Sequence, residues 1–133
     1  MPKFSKSSKA KLKTCDGRLQ ILADVVVDTF DCTVVCGHRP ELEQDLAYAR
    51  GKSKLKFPES KHNVYPSIAI DLAPYIAGQG ISWDESQCYY FAGYVLGIAN
   101  VLGLKLRWGG DWNQDHNIKD QDFNDLVHFE LIE

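Results

Sequence analysis

Apolar and polar positions recur with two different periods along this chain, and the two periods predict its elements. Residues 18–30 carry apolar side chains at helical spacing, which predicts an amphipathic helix. A second helix is predicted from Ser82, a capping residue followed by Glu85, to Gly103, which suits the left-handed position that ends a helix. Because this second helix is apolar around most of its circumference, we expect it to be central and buried.

A further helix and four strands complete the predicted elements. Pro40 can open a helix that ends near Gly51, with Leu42, Leu46 and Tyr48 to Ala49 as its apolar face. Strands are predicted at residues 32–37, 67–72, 104–108 and 125–132. Loops are predicted at residues 52–63, 74–81 and 111–122. Since helices and strands do not alternate regularly, we predict an α+β fold: a small, mainly antiparallel sheet carries the site, and helices pack on one side.

The size and charge of the chain narrow its class. Its 133 residues are enough for a single domain spanning residues 1–133 with its own core. The net charge of −3 gives no electrostatic case for nucleic acid. Residues 1–13 stand apart as a basic arm with five lysines: Lys3, Lys6, Lys9, Lys11 and Lys13. We expect a solvated tail here rather than attraction to anionic cell-wall polymer or membrane, because the arm lacks an apolar face.

No segment of the sequence predicts export or membrane insertion. The first residues lack the apolar core of a signal peptide, and no apolar run approaches transmembrane length. The chain is therefore expected in the cytoplasm of the cell that makes it, where its four cysteines stay reduced. Strand alternation places Cys32, Val34 and Cys36 on one face, which favours core packing over a cysteine-ligated metal.

Two histidines and two aspartates are the candidates for chemistry. His62 follows a turn-like segment, Asp71 lies at the end of an alternating apolar run, and His128 lies in a strand-like segment. Two imidazoles and one carboxylate, with the fourth position open, are the ligand set of a catalytic zinc. Asp125, three residues before His128, would supply the proton acceptor that such a site needs. Taken alone, the pattern also fits ordinary surface or packed histidines.

Four stretches make the chain resemble a known family. They are Cys36-Gly37-His38-Arg39-Pro40-Glu41 with Gln44, Ser60-Lys61-His62-Asn63 through Ala69-Ile70-Asp71, Trp108-Gly109-Gly110-Asp111-Trp112, and Asp125-Leu126-Val127-His128-Phe129. In this order they resemble the zinc peptidases that cut bacterial cell-wall peptides, a group that contains the D-Ala-D-Ala peptidases. The closest resemblance is to the L-alanyl-D-glutamate endopeptidase endolysins of tailed bacteriophages. In many members the first histidine and the aspartate are closer together than here, where residues 64–67 form an additional turn.

The resemblance implies a metal site and a proton-transfer group. His62, Asp71 and His128 would hold a Zn²⁺ ion, with water as the fourth ligand. Asp125 would act first as general base and then as general acid towards the departing amine. Members often have glutamate at this position, so Asp125 is the shorter variant. A turn-capping role is the alternative for this residue.

The resemblance also implies residues that contact the substrate. Arg39 would bind the substrate and stabilise the developing oxyanion, with a surface salt bridge to a nearby glutamate as the alternative. Ser60 would orient the substrate or groups of the metal site. Glu130 should share a strand face with His128 and could hold its imidazole. At least one of Trp108 and Trp112 is expected at the rim of the cleft.

Residues 111–122 form a candidate calcium loop. Oxygen-bearing side chains at positions 1, 3, 5, 7 and 12 are Asp111, Asn113, Asp115, Asn117 and Asp122. This approaches an EF-hand loop, although His116 replaces the glycine at position 6 and Asp122 replaces the closing glutamate. Asp120 is an alternative closing ligand, and an acidic solvated loop is the alternative to any site. Because some related phage endolysins are calcium-regulated, the resemblance favours Ca²⁺ as a regulator that orders this loop and positions Asp125 and His128.

The expected function is that of a zinc metallopeptidase that hydrolyses peptidoglycan stem peptides between L-Ala and D-Glu, causing host lysis at the end of phage infection. The choice of bond rests on the resemblance alone. A D-Ala-D-Ala carboxypeptidase or dipeptidase, and a zinc-stabilised wall-binding module without catalysis, remain as alternatives. The expected partner is bacterial peptidoglycan, with no nucleic acid and no membrane insertion. The chain is expected to be a monomer that reaches the wall only after the membrane is permeabilised.

Overall fold

The computed structural model describes residues 1–132 as four α-helices, a short 3-10 helix and five strands. The helices are α1 (Lys6–Leu12), α2 (Gly17–Thr29), α3 (Glu41–Ala49) and α4 (Glu85–Val101), and the 3-10 helix is Lys61–Asn63. The strands are β1 (Cys32–Cys36), β2 (Ala69–Ile76), β3 (Gly80–Ile81), β4 (Leu106–Gly109) and β5 (Asp125–Leu131). The sheet has the order β1-β2-β5-β4, β3 pairs with β2, and each strand pair is antiparallel. The predicted α+β class is confirmed.

Alternation along the two central strands separates a packed face of the sheet from a functional face. Ile70 of β2 and Phe129 of β5 are cross-strand partners, and both are fully buried in the main core, which α4 helps to form. The next pair, Asp71 and His128, turns to the opposite face because successive side chains of a strand alternate. The same strands therefore build the core and present the site.

Helix α4 is central, as predicted, but it begins later than expected. Asp84 is its N-cap, and its carboxylate accepts a hydrogen bond from the backbone N–H of Gln87 at 3.0 Å. Ser82 instead accepts from the N–H of Asp84 at 3.4 Å, so it supports the turn before the helix. Gly103 has the expected positive φ, at +76°. Within residues 1–132 no helix, α4 included, has both the length and the apolar character needed to cross a bilayer.

The stretch 74–81 is a hairpin and not the predicted loop. Strand β2 continues to Ile76, and Gly78 and Gly80 adopt positive φ values at the turn into β3. Pro74 has no N–H to donate, but its carbonyl accepts from the N–H of Ser82 at 2.8 Å. Tyr75 then donates its own N–H to the carbonyl of Asp31 at 3.0 Å.

The predicted apolar face of α3 is wrong. Leu42, Leu46 and Tyr48 are all exposed, and the buried residue of this helix is Gln44. The helix packs through a polar side chain because its neighbours are polar groups of the site, described below. Hydrophobic spacing therefore predicted the helix correctly and its orientation incorrectly.

The basic arm is a docked helix and not a solvated tail. Ser5 caps α1 by accepting from the N–H of Ser8 at 3.1 Å. Phe4, Ser8 and Leu12 are buried at a spacing of four residues. The Ser8 hydroxyl accepts from the N–H of Val34 at 3.0 Å, which satisfies a donor of the edge strand β1.

The expected core packing of the cysteines holds for Cys32 and not for Cys36. A register shift between Val34 and Cys36 breaks the alternation of β1, so Cys36 is only half-buried. Its sulfur lies 3.8 Å from Nδ1 of His62, on the side of the site. All four cysteines are free thiols.

The hydrogen bond between Ser8 and Val34 gives a test of how α1 is anchored. Ser8→Ala should lower the free energy of unfolding by about 1–3 kcal/mol, because the buried N–H of Val34 is left without an acceptor. Urea denaturation with a fluorescence readout measures this loss. Ser7→Ala is the matched control, since Ser7 is exposed on the same helix. Equal effects of the two substitutions would show that the bond contributes nothing to the docking.

Candidate metal centre and its cleft

The three predicted ligands converge on one buried point. His62 Nε2 lies 3.0 Å from Asp71 Oδ1 and 3.1 Å from His128 Nδ1, and the third side of this triangle, from His128 Nδ1 to Asp71 Oδ1, is 3.3 Å. All three side chains are buried. Strand pairing places Asp71 opposite His128, while the 3-10 helix brings His62 to them.

Hydrogen bonds on the far side of each imidazole leave lone pairs facing this point. His62 donates its Nδ1–H to the carbonyl of Gly37 at 2.7 Å, and His128 donates its Nε2–H to Glu130 at 2.8 Å. With those protons placed, Nε2 of His62 and Nδ1 of His128 are acceptors in the neutral rings, and so is the Asp71 carboxylate. Three acceptors at mutual hydrogen-bond distance repel one another unless a cation lies among them.

The donor set fits a zinc ion. Corners of a tetrahedron bonded to zinc at about 2.0–2.2 Å lie about 3.3–3.6 Å apart, and the observed separations are close to this range. Mixed imidazole and carboxylate ligands are typical of zinc. The sulfur of Cys36 lies next to Nδ1 of His62, so it is on the other side of that ring from the shared point. A cysteine-ligated ion at the same point is therefore not favoured.

The pKa shifts of His62 and Asp71 also show that the cluster favours a bound positive charge. Burial by itself lowers the pKa of His62, but the charge and hydrogen bond of Asp71 outweigh it and raise the pKa to about 10. Burial opposes the ionisation of Asp71, yet the two imidazoles hold its pKa well below the usual range. Without a metal, the carboxylate thus draws a proton into the site. A bound cation would replace that proton.

Asp125 lies beside the cluster at the start of β5. Its carboxylate and the ligand atoms of Asp71 and His128 lie within 4.8 Å of one another. Burial raises the pKa of Asp125 to about 6, and the charge of Asp71 acts in the same direction. A carboxyl group that titrates near neutrality suits general base catalysis. The backbone here is a strand, as predicted, and its pairing with β4 shifts register between Trp108 and Gly109, the partner of Asp125.

Gly109 lets the two strands approach closely at that point. A Cβ at this position would collide with the backbone carbonyl of Asp125. The close approach is how a side chain as short as aspartate reaches the cluster from the first residue of β5.

Arg39 points into the site. Its guanidinium lies 3.7 Å from Asp71 Oδ2 and donates to Gln44 Oε1 at 3.1 Å. Its backbone N–H donates to the carbonyl of His62 at 2.8 Å. The alternative of a salt bridge to Glu41 or Glu43 is absent among the ion pairs of residues 1–132.

Gln44 joins this arginine to the wall of the cleft. The fully buried amide accepts hydrogen bonds from Arg39 and from Asn63 Nδ2, both at 3.1 Å. It donates to Ser53 Oγ at 3.0 Å and to the carbonyl of Leu55 at 2.7 Å. Every donor and acceptor position of the amide is thus used. Sequence reasoning placed Gln44 in the family pattern without a role, and only its burial shows that role.

Ser60 holds His62, a predicted ligand, in place. Its hydroxyl accepts a hydrogen bond from the backbone N–H of His62 at 3.2 Å. The side-chain oxygen of Asn63 in turn accepts one from the backbone N–H of Ser60 at 3.0 Å. This reciprocal pair is a capping box for the 3-10 helix that carries His62. Ser60 also lines the cleft, so the substrate-orienting role is still a prediction.

Glu130 anchors His128 from behind, as the strand period predicted. Besides accepting from His128, it accepts from Arg107 at 2.7 Å and pairs with Lys61 at 3.5 Å. Burial opposes its ionisation, but His128 and Arg107 lower the pKa of Glu130 to about 2. Arg107 and Lys61 were not predicted from the sequence, because isolated cations carry no signal before the strand register is known.

An open cleft of about 460 Å³ leads to the cluster. Loop residues 52–55 and Glu59 line the walls of the cleft, and so do Trp112 and Phe123. Trp112 lies 5.3 Å from the ring of His128, while Trp108 is buried in the core. The expectation of one tryptophan at the rim is therefore met by Trp112.

The 111–122 loop has the backbone pattern of an ion-binding loop. Asp111 Oδ2 accepts from the N–H of His116 at 2.9 Å, and His116 takes the positive φ of +67° that glycine has at this position of an EF-hand. Asn117 donates its N–H to Asp115 at 2.8 Å. Asp111 Oδ1 is buried and has no hydrogen-bond partner among residues 1–132. This carboxylate oxygen could therefore accept a hydrogen bond or bind a cation.

Among residues 1–132, Asp120, and not the predicted Asp122, makes a hydrogen bond to another side chain of the loop. Asn113 Nδ2 lies 3.3 Å from carboxylate oxygens of both Asp115 and Asp120. Asp122 makes no hydrogen bond to this group within the described part of the chain. Asp120 is thus the one of the two carboxylates that contacts Asn113.

A carboxylate beside a cluster of two histidines and one aspartate, at the floor of an open cleft, is typical of metal-dependent hydrolases. A family model described as phage L-alanyl-D-glutamate peptidase matches residues 1–132. The L-alanyl-D-glutamate peptidase of Escherichia phage T5 is 36% identical over 123 residues, which cover 90% of this chain and 88% of that one. The chain therefore belongs to the phage L-alanyl-D-glutamate peptidase family, which confirms the resemblance found in the four sequence stretches.

A solved structure shares the fold at lower sequence identity. The crystal structure of the Serratia marcescens L-Ala D-Glu endopeptidase ChiX matches with a TM-score of 0.75 at 23% identity. The match covers 96% of this chain and 88% of that one. At this identity the match supports the fold assignment alone.

The network around Gln44 gives a test of its structural role. Gln44→Met keeps the side-chain volume but removes the four hydrogen bonds of a fully buried amide, so the free energy of unfolding should fall by about 1–3 kcal/mol. Chemical denaturation measures the loss. The matched control is Gln79→Met, at an exposed position of the hairpin turn, which should change stability by less than about 0.5 kcal/mol. A Gln44→Met protein as stable as the control would mean that the amide network is not stabilising.

Proposed function

We propose that this chain is a zinc-dependent endopeptidase that hydrolyses the L-Ala–D-Glu bond of peptidoglycan stem peptides and lyses the host cell at the end of phage infection. The observation that carries the proposal is the convergence of three acceptor atoms, from His62, Asp71 and His128, with their imidazole protons held on the far sides. The bond cleaved is the one in the names of the family and of its relatives. The enzyme would reach the wall after the membrane is permeabilised.

The proposed chemistry divides between the metal and two side chains. When bound by the three ligands, zinc supplies Lewis acidity, which polarises a carbonyl and lowers the pKa of water. Asp125 accepts a proton from the attacking water and transfers it to the departing nitrogen of D-Glu. The C–N bond breaks, leaving a carboxylate on L-Ala and a free amine on D-Glu.

Arg39 supplies a fixed positive charge for the transition state. Its guanidinium is held by Gln44 on one side and faces Asp71 on the other, with most of its side chain buried. A held cation stabilises a developing oxyanion without having to reorganise during the reaction. Ser60 keeps the backbone of His62 in place and lines the cleft where the peptide would lie.

The test of the function is digestion of purified peptidoglycan, with and without a zinc chelator, followed by mass spectrometry of the fragments. We expect new N-termini at D-Glu that disappear on chelation and return when zinc is added. Loss of terminal D-Ala would instead establish a carboxypeptidase. Zinc-dependent binding without cleavage would establish a wall-binding module.

Two substitutions separate the metal from the proton transfer. Asp125→Ala should lower hydrolysis by about a hundredfold or more while zinc content and fold are retained. His128→Ala should lose the zinc, and with it the stability that metal binding contributes. Asp24→Ala and His38→Ala are matched controls outside the cluster. Full activity of Asp125→Ala would remove the general base assignment.

We propose that Ca²⁺ binds the 111–122 loop through Asp111, Asn113, Asp115 and Asn117, with Asp120 or Asp122 as the closing ligand. The buried Asp111 oxygen without a partner among residues 1–132 and the hydrogen bonds that bring Asp111, Asn113 and Asp115 into one loop support this site. Trp112 belongs to the loop and lies against His128, and its indole donates to the carbonyl of Phe123 at 2.7 Å. Ordering the loop would thus fix the wall of the cleft beside the metal.

Calcium should therefore raise both stability and hydrolysis. At a hundredfold excess over the dissociation constant, binding adds about 2.7 kcal/mol to the free energy of unfolding. Thermal unfolding with and without Ca²⁺ measures this gain, with Mg²⁺ as the control for ionic strength. Asp115→Asn should weaken the effect, and Asp24→Asn should not. If saturating calcium changes neither quantity, the regulatory site does not exist.

A further inference from the structure

Helix α1 presents a row of lysines on the side opposite its buried face. Phe4, Ser8 and Leu12 face the fold, whereas Lys6, Lys9 and Lys13 are exposed at positions i, i+3 and i+7. This spacing aligns side chains along one helix face. We call these three residues the lysine ridge.

The ridge is held rigidly and carries no counter-charge of its own. The docking of Ser8 on Val34 fixes the helix against the edge strand β1. Within residues 1–132 no lysine of the ridge forms an ion pair with a carboxylate. The structure therefore holds three cations in a fixed row, although no contact inside the fold requires them.

The charge of the whole chain is unevenly distributed around this ridge. Residues 1–13 contain five of the 15 lysines and arginines and none of the 18 aspartates and glutamates. A chain with net charge −3 thus carries a positive end on a negative body. Such a dipole orients the molecule towards a polyanion, whereas a uniformly anionic surface would be repelled.

The ridge lies at the same edge of the sheet as the catalytic arginine. Helix α1 packs on β1, and Arg39 follows β1 by three residues. A shallow cavity of about 360 Å³ lies between Lys11 of this helix, which is not part of the ridge, and Arg39, and Cys36, His38 and Glu43 also line it. A polymer that crosses the cleft near Arg39 would meet the ridge a short distance further along.

We propose that the lysine ridge is a docking surface for the free carboxylates of peptidoglycan stem peptides next to the one being cleaved. The proposal rests on the proposed function in one respect, since the bound polymer is the one that is hydrolysed. Peptidoglycan fits because its stem peptides repeat a carboxylate-bearing unit, so several weak contacts form at once. A membrane fits less well, because the apolar face of α1 is already buried in the fold and nothing remains to insert.

The contacts should be individually weak and sensitive to salt. Exposed ion pairs each contribute little, and they are screened over about 10 Å at 0.1 M ionic strength. The ridge would therefore retain the enzyme on the wall between cleavage events without slowing its release much.

Co-sedimentation with intact sacculi tests the proposal, using Asp125→Ala as the parent so that the polymer is not degraded. Lys6→Gln with Lys9→Gln should weaken binding roughly tenfold at low salt, and the difference should vanish at high salt. Lys6→Arg with Lys9→Arg keeps the charge and should bind like the parent. Lys105→Gln with Lys119→Gln removes the same charge elsewhere and should also bind like the parent. Circular dichroism checks that each variant is folded.

Two further arms identify the partner. When the carboxylates of the sacculi are amidated, the parent and the Lys6→Gln/Lys9→Gln variant should bind equally. In the active background, hydrolysis of a short soluble stem peptide should be unchanged by the ridge substitutions. A wild-type chain that does not cleave peptidoglycan, with ridge-dependent binding intact, would refute the function and leave the docking surface standing.

Three results would overturn the docking surface. One is equal binding of the ridge variant and its parent. Another is an equal loss in the Lys105 and Lys119 control, which would assign the effect to net charge. The third is equally tight, ridge-dependent binding to anionic lipid vesicles, which would assign the surface to a membrane.

Discussion

The pairing register of β2 with β5 is the constraint on which the site depends. Asp71 is the cross-strand partner of His128, and the adjacent pair Ile70 and Phe129 is fully buried on the opposite face. A slip of one residue in either strand would turn its Asp71 or His128 into the core and its apolar neighbour into the cleft. The cost of exposing that apolar surface therefore protects the ligand geometry. The pairing of β2 with β5 therefore both packs the core and positions the side chains of the site.

The third ligand and the tautomers are fixed by bonds that arrive from elsewhere in the chain. His62 lies on a 3-10 turn, and the carbonyl of Gly37 takes its outer proton. Glu130 does the same for His128 and is in turn neutralised by Arg107. Each imidazole of the cluster thus donates a hydrogen bond on its outer side, and only the lone pairs that face the centre of the cluster lack a partner among residues 1–132. Removing a partner would leave a buried charge uncompensated, which costs more than the contact contributes.

The sequence predicts part of this arrangement because some of its signals are local. A carboxylate near the end of an apolar strand and a histidine within another mark Asp71 and His128, and the strand period adds Glu130. The Gly37 carbonyl leaves no such signal, since any residue offers a carbonyl and His62 is 25 residues away. Gln44 was missed as a buried group because the apolar pattern of α3 placed Leu42 and Leu46 inside. That pattern fails where a helix covers a polar network rather than a core. The docking of α1 was missed for a related reason. Its buried positions are Phe4, Ser8 and Leu12, and because the middle one is a serine among lysines, the segment shows no apolar periodicity.

Rigidity and openness are divided between the strands and the loops of the cleft. The floor consists of paired strands and of ligands with locked tautomers, which suits a site that must be preorganised. The walls consist of loops that meet where Lys54 lies 5.3 Å from the centre of the Phe123 ring. An exposed cation–π contact contributes only about 0.5–1 kcal/mol, so this contact holds the two loops together weakly. The bonds from Gln44 to Ser53 and Leu55 tie one wall to Arg39, and the contact of Trp112 with His128 ties the other wall to the metal ligands. Both sides of the cleft are thus held by contacts to side chains of the site.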